Sequence, residues 1–148
     1  MELPVNDILT ALNQANKKMN IIYHRYAKSA GLSDAAFWLL YSLFENGGPC
    51  TQKYLHEEWY YAPQTINSAL KSLEGKGMIY LELIPGSRKN KRIVLTPEGG
   101  AFVSEKIAPL VDAEKRSFKR LSGRQRSELL RITQKHILFL EEEINKII

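Results

Sequence analysis

The chain has 148 residues, 44% of them hydrophobic, and a net charge of +5. It is long enough for one domain-sized core, and no apolar run approaches the ~20 residues of a membrane span, so a soluble protein is expected. The start, MELPVNDILT, lacks the basic region of a secretory signal, which points to the cytoplasm, and the lone Cys50 rules out an intramolecular disulfide.

The first predicted helix runs from Val5 to Ser29. Val5, Ile8, Leu12, Ala15, Met19, Ile22 and Tyr26 recur at alternating spacings of three and four. That is a heptad seam, narrower than an ordinary surface stripe and suited to packing against another long helix. Gly31 is a stop signal, and Ser33 caps a second helix. The body of this helix, AAFWLLYSLF, is apolar nearly all round and therefore central. Gly47-Gly48-Pro49 ends it. Cys50 could sense oxidants only through an accessible thiol of low pKa, and a small, partly buried residue is the default reading.

Thr51 is the expected N-cap of a third, short helix reaching Trp59. Tyr60, Tyr61 and Ala62 make a turn, and Pro63 suits the first position of a fourth helix. Two short helices joined by a tight turn form a helix-turn-helix, which Trp59, Tyr60 and Tyr61 would pack unless they touch a nucleic-acid backbone. On the fourth helix Ile66, Ala69, Leu70 and Leu73 form a buried stripe. Gln64, Thr65, Asn67, Ser68 and Lys71 are left facing outward. The Gly75/Gly77 pair closes the helix.

A hairpin follows, Met78–Ile84 and Lys91–Leu95, joined by the Pro85-Gly86 turn and a tip reaching Asn90. Arg88, Lys89, Lys91 and Arg92 crowd this tip with no acid among them. The excess charge of the whole chain says little, but a local cluster releases counterions from phosphate. Thr96-Pro97-Glu98 opens a fifth helix, in which Pro109 predicts a kink after about three turns. Ser122 and Gln125 form a capping box for the last helix. There Leu130, Thr133, Ile137, Leu140, Ile144 and Ile147 make a second three-four seam. Either terminal seam could bury within the chain, yet two of them flanking a compact centre point to a homodimer.

A polar-faced helix followed by a basic hairpin is what a winged helix-turn-helix needs. The helix enters a groove to touch base edges, and the hairpin reaches phosphates or the adjacent minor groove. The expected fold is mainly α with a small β-hairpin wing, in one unit over 1–148. Residues 33–96 would be the winged-helix DNA-binding lobe, and 1–30 and 97–148 the dimerisation helices. Double-stranded DNA is the expected partner, through Gln64, Thr65, Asn67, Ser68, Lys71, Arg88, Lys89, Asn90 and Lys91. Asn and Gln can pair bidentately with adenine, while Thr and Ser are adaptable. Lys71 suits phosphate, as do Gln52 and Lys53 at a helix N-terminus. The bland alternatives are a solvated helix face and a soluble turn, and Arg92 can lie along the strand instead.

The order of helices, strands and seams resembles the MarR family of winged-helix transcription regulators along the whole chain. SALKSLEGKGMI (68–79) looks like the end of that family's recognition helix with its first wing strand. RIVLTPEGG (92–100) looks like the second wing strand running into the next helix. The family usually places an Asp two residues before an Arg at the start of the wing. The corresponding positions here are Ser87 and Lys89, with Arg88 between them, so the charge is kept but the Asp-to-Arg brace is not. Either Arg88 or Lys89 could be the minor-groove residue. The resemblance also implies a pocket for a small aromatic ligand near Tyr23, Tyr26, Trp38 and Tyr41, with Arg25 and Lys28 favouring an anion. Read from the residues alone, these aromatics are core and interface packing.

His24, His56 and His136 lack metal-ligand spacing, so neither metal nor cofactor is expected. No phosphate-cradling glycine loop or nucleophile elbow occurs, which argues against an enzyme. A PadR-like regulator shares the winged helix and a C-terminal dimer helix, but its DNA-binding lobe starts near the N-terminus, without the helical stretch seen here before Thr51. A winged helix serving only as a protein-interaction module is the alternative of another class.

Overall fold

The computed structural model describes residues 2–59 and 61–148 and divides into two compact units, Met1–Ala108 and Pro109–Ile148. The first begins with α1 (Val5–Ser29), the span that the heptad seam predicts. Only Ala27 of this helix is buried, and Val5, Ile8, Leu12, Met19 and Ile22 are exposed within the single chain. Helix α2 (Asp34–Asn46) starts where the Ser33 hydroxyl accepts the Ala36 N–H at 3.2 Å, and stops at Gly47, whose φ of 70° is left-handed. Its all-round apolar character is explained by its place: Ala36, Phe37, Leu39, Leu40 and Leu43 are all buried.

A two-residue strand β1 (Cys50–Thr51) precedes α3 (Gln52–Trp59), and α4 spans Pro63–Gly75. Strands β2 (Ile79–Leu83) and β3 (Lys91–Leu95) form the hairpin, and the antiparallel sheet has the order β1-β3-β2. The sequence predicts only the two hairpin strands. The third exists because Cys50 and Thr51 pair with Ile93 and Arg92. Thr51 also does what its sequence position predicts, accepting the Tyr54 N–H at 3.1 Å to cap α3. Ile66, Ala69, Leu70 and Leu73 are buried on α4, which packs against α2.

The join between α4 and the wing is built from backbone geometry. Gly77 has φ 71°; its N–H bonds to the Glu74 carbonyl, and the Met78 N–H reaches back to Leu73. This is a Schellman termination, so of the two glycines Gly77 is the one that ends the helix. Thr96 then pins the far end of the hairpin to the same corner. Its N–H donates to the Met78 carbonyl, its hydroxyl donates to the Gly77 carbonyl, and that oxygen accepts the Gly99 N–H to cap α5 (Pro97–Phe102). Gly99 lies so close that a Cβ there would sit 1.8 Å from the Met78 oxygen.

The kink predicted at Pro109 takes the form of a π-turn, Val103–Ile107, between α5 and α6 (Ala108–Lys119). Proline lacks an N–H and its ring would strike the carbonyl four residues back; a wider turn relieves both conflicts. Val103 and Ile107 are buried in this turn, and the Tyr26 phenol donates to the Lys106 carbonyl at 2.5 Å, tying α1 to it.

In the second unit α7 (Gly123–Asn145) opens with the predicted capping box between Ser122 and Gln125. Arg126 donates to the Phe118 and Leu121 carbonyls, satisfying the end of the preceding helix. No residue of α7 is buried. Among the described residues no helix is long and apolar enough to cross a membrane.

Candidate nucleic-acid interface

Helix α4 presents two faces because its apolar residues recur with the helical period. With the stripe from Ile66 to Leu73 turned into the core, Gln64, Thr65, Asn67, Ser68 and Lys71 are all exposed. They form one polar surface with a single cation. Asn67 is also bonded to its neighbour helix, since the Gln52 side-chain amide donates to its Oδ1 at 3.2 Å. The sequence suggests Gln52 only as a phosphate contact. Nothing periodic links residues fifteen positions apart on two helices, so this pairing had no local signal.

The wing separates its cations into two kinds. Arg92 lies in β3 opposite Glu82 and donates to that carboxylate at 2.8 Å, so it braces the hairpin. Arg88 and Lys89 occupy the exposed tip and Lys91 begins β3; among the described residues none of these three forms an ion pair. Their charge is therefore available to an external anion. The tip is ordered by Ser87, whose hydroxyl accepts the Asn90 N–H at 3.0 Å and the Lys89 N–H at 3.4 Å. An Asp at this position would accept from the same backbone groups. The serine supplies that local order without the negative charge, which leaves the tip more basic.

The two short helices are tied together from below. Leu55 of α3 is buried, and the His56 ring is hydrogen-bonded to the Tyr61 carbonyl across the turn at 2.5 Å. Trp59 donates its indole N–H to the buried Ser42 hydroxyl, and its ring lies 4.8 Å from that of Trp38. The expected packing role of Trp59 and Tyr61 in the helix-turn-helix agrees with these contacts; Tyr60 lies outside the described residues.

Tyr23, Trp38 and Tyr41 are brought together as ring neighbours, Tyr23–Trp38 at 5.0 Å and Trp38–Tyr41 at 5.3 Å, all half-buried. Tyr26 stacks edge-on to Phe37 at 6.0 Å, with its hydroxyl engaged by Lys106. A separate recess between α2, α3 and α4 is lined by Ala35, Leu39, Leu55, Trp59, Tyr61, Ile66 and Ala69, and none of the four aromatics borders it.

Cys50 is buried, and burial, helped by the charge of Glu58, pushes its thiol up to about 11. A thiol so reluctant to ionise makes a poor redox sensor. His24 pairs with Asp34 at 2.8 Å, His56 with the turn, and among the described residues no group of His, Cys, Asp or Glu could hold a metal.

Residues 30–89, which span α2, the helix-turn-helix and most of the wing, match the MarR family. A search of curated proteins found no match. Among solved structures, the chain is similar to NMB1585, a MarR family regulator from Neisseria meningitidis. The two share 24% identity with a TM-score of 0.70, over 92% of this chain and 97% of that one. Bordetella bronchiseptica BpsR is 19% identical with a TM-score of 0.68, over 88% and 98%. The organohalide-sensing regulator RdhR-CbdbA1625 is 19% identical with a TM-score of 0.66, over 90% and 79%. Together with the polar face of α4 and the wing cations that form no ion pair among the described residues, these likenesses lead to one conclusion: residues 30–89 match the MarR family, and the chain has the winged helix-turn-helix fold of that family's solved members.

Proposed function

We propose that this protein is a cytoplasmic homodimer that binds a pseudo-palindromic operator and represses transcription until a small molecule releases it. The observation that carries the DNA reading is the pairing of an exposed polar helix face with a wing tip whose Arg88, Lys89 and Lys91 form no ion pair among the described residues. In this reading each α4 enters a major groove, where Gln64, Thr65, Asn67 and Ser68 touch base edges and Lys71 meets phosphate. Each wing sets Arg88, Lys89, Asn90 and Lys91 on the flanking minor groove or backbone.

The dimer reading is supported by apolar surface left over within one chain. Ile137 is 58% exposed and Ile147 78%, and the α1 seam is likewise uncovered. Apolar stripes of this size are interaction sites in soluble proteins. A second copy would supply the same stripes, and two-fold symmetry would match a palindromic operator. Residues 1–30 and 97–148 are accordingly the proposed dimerisation helices.

Repression relieved by a ligand is supported by what two similar proteins do. BpsR has its DNA binding regulated by 6-hydroxynicotinic acid, and RdhR-CbdbA1625 was solved with 2,4-dichlorophenol bound. A ring compound resting on Tyr23, Trp38 and Tyr41, beside Tyr26, would act here by binding the DNA-incompetent spacing of the two recognition helices better than the competent one. Converting a mostly bound dimer to a mostly free one takes about 5 kcal/mol of such preference.

The test is selection of bound duplexes from a random pool. Recovery of a palindrome whose half-sites lie about one helical turn apart is the expected result. A folded protein that enriches no sequence and shows no salt-sensitive duplex binding overturns the reading in favour of an interaction module.

A further inference from the structure

We infer that Gln52 and Asn67 read one base pair as a unit, with Gln52 fixing which half of the Asn67 amide is offered to the groove. This rests on the proposed base-reading role of α4 and names the group that sets its specificity. An isolated Asn on a helix face can present either its oxygen or its NH2, because turning the amide over costs almost nothing; it then accepts from or donates to a base with little discrimination. Asn67 is not isolated. The Gln52 amide, on the first residue of α3, donates to its Oδ1 at 3.2 Å. Because the amide is planar, holding Oδ1 toward α3 turns Nδ2 and its two protons away from that helix. The half left for DNA is a donor.

The chemistry of the major groove converts this into a preference. Guanine offers O6 and N7, adenine N7 and thymine O4 as acceptors for such a donor; cytosine offers only its N4 amino group, which meets Nδ2 proton to proton, so cytosine is the base disfavoured at that position. Gln52 is thus a positioning residue for specificity: it does not itself need to touch the base. The helix-turn-helix sets the distance, since α3 and α4 pack against each other and the turn between them is tied by His56 to Tyr61.

The experiment repeats the random-pool selection with four variants, alongside circular dichroism and thermal melting for each. Asn67→Ala is expected to lose preference at one base pair per half-site, by about tenfold. Gln52→Ala is expected to lose preference at that same base pair, with unchanged melting. Gln52→Lys still donates to Oδ1 and should keep the wild-type base. Gln52→Glu can only accept, so it should draw Nδ2 inward, turn Oδ1 outward, and shift the preference toward cytosine N4 or adenine N6. The inversion is the decisive readout, because a merely structural role for Gln52 would not exchange one base for another. If Asn67→Ala relaxes the site while Gln52→Ala and Gln52→Glu leave it unchanged, or if Gln52→Lys loses the wild-type base, the pairing is overturned. If wild type enriches a palindrome that no variant alters, the pairing falls while the regulator reading stands. If wild type enriches nothing, both fall.

Discussion

The winged-helix lobe and the last helix use the same residue types and the same helical period, yet they end in opposite states. On α4 every apolar residue of the stripe is buried, and Leu73 reaches zero exposure. On α7 the seam from Leu130 to Ile147 is exposed throughout. The difference lies in the supply of partners within the chain. The lobe surrounds α4 with α2, α3 and a sheet, whereas α7 has no such enclosure. Periodicity therefore predicts that a face will be covered, but not by which molecule.

The largest expected effect tests that contrast directly. Ile137→Asp with Ile144→Asp should convert the proposed dimer to monomer or aggregate and abolish the proposed operator binding, while leaving the lobe folded. Sedimentation of the wild type as a well-folded monomer at micromolar concentration would show instead that the α7 face is solvated. Inside the lobe, Leu73→Ala should cost about 2–5 kcal/mol of unfolding free energy, as cavity-forming substitutions do. Denaturant titration measures it, and a loss below that range would mean that the site collapses around the smaller side chain.

Smaller effects sharpen the picture at the join and the tip. Gly99→Ala must push Cβ against the Met78 oxygen and should cost about 1–3 kcal/mol. Gly100→Ala meets nothing within 4 Å and should be neutral or slightly stabilising, since alanine is the better helix former. Equal melting temperatures for the two variants would contradict the close approach. At the wing, Arg88→Ala with Lys89→Ala should weaken all duplexes evenly and reduce the slope of log affinity against log salt by about two. A wild-type slope would mean the tip meets no phosphate. Glu82→Ala, which breaks a half-exposed ion pair with Arg92, should change stability by no more than about 1 kcal/mol; a much larger loss would make this pair a structural requirement of the hairpin.

Much of the architecture was legible in the sequence because its signals are local. The heptad seam marks α1 from Val5 to Ser29, Ser33 and Ser122 cap their helices, and the Pro85-Gly86 turn parts the two hairpin strands. Each depends on residues within a few positions of one another, so spacing alone reveals it. The candidate surface was legible for the same reason: once Ile66, Ala69, Leu70 and Leu73 point inward, the outward set follows from geometry.

What only the tertiary structure decided depends on groups far apart in the chain. Strand β1 has two residues and exists because β3 pairs with it. Tyr26 could have been free to line a pocket, but its hydroxyl is held by a carbonyl eighty residues away. Of the glycine pair in TPEGG, Gly99 is the one that needs to lack a side chain, because the Met78 backbone happens to arrive there. Of the four wing cations, Arg92 is neutralised by its cross-strand partner, while the others form no ion pair among the described residues. The Gln52–Asn67 bond joins two helices across fifteen residues. Local spacing fixes which way a side chain faces; what it meets there is settled by the long-range approach of other segments.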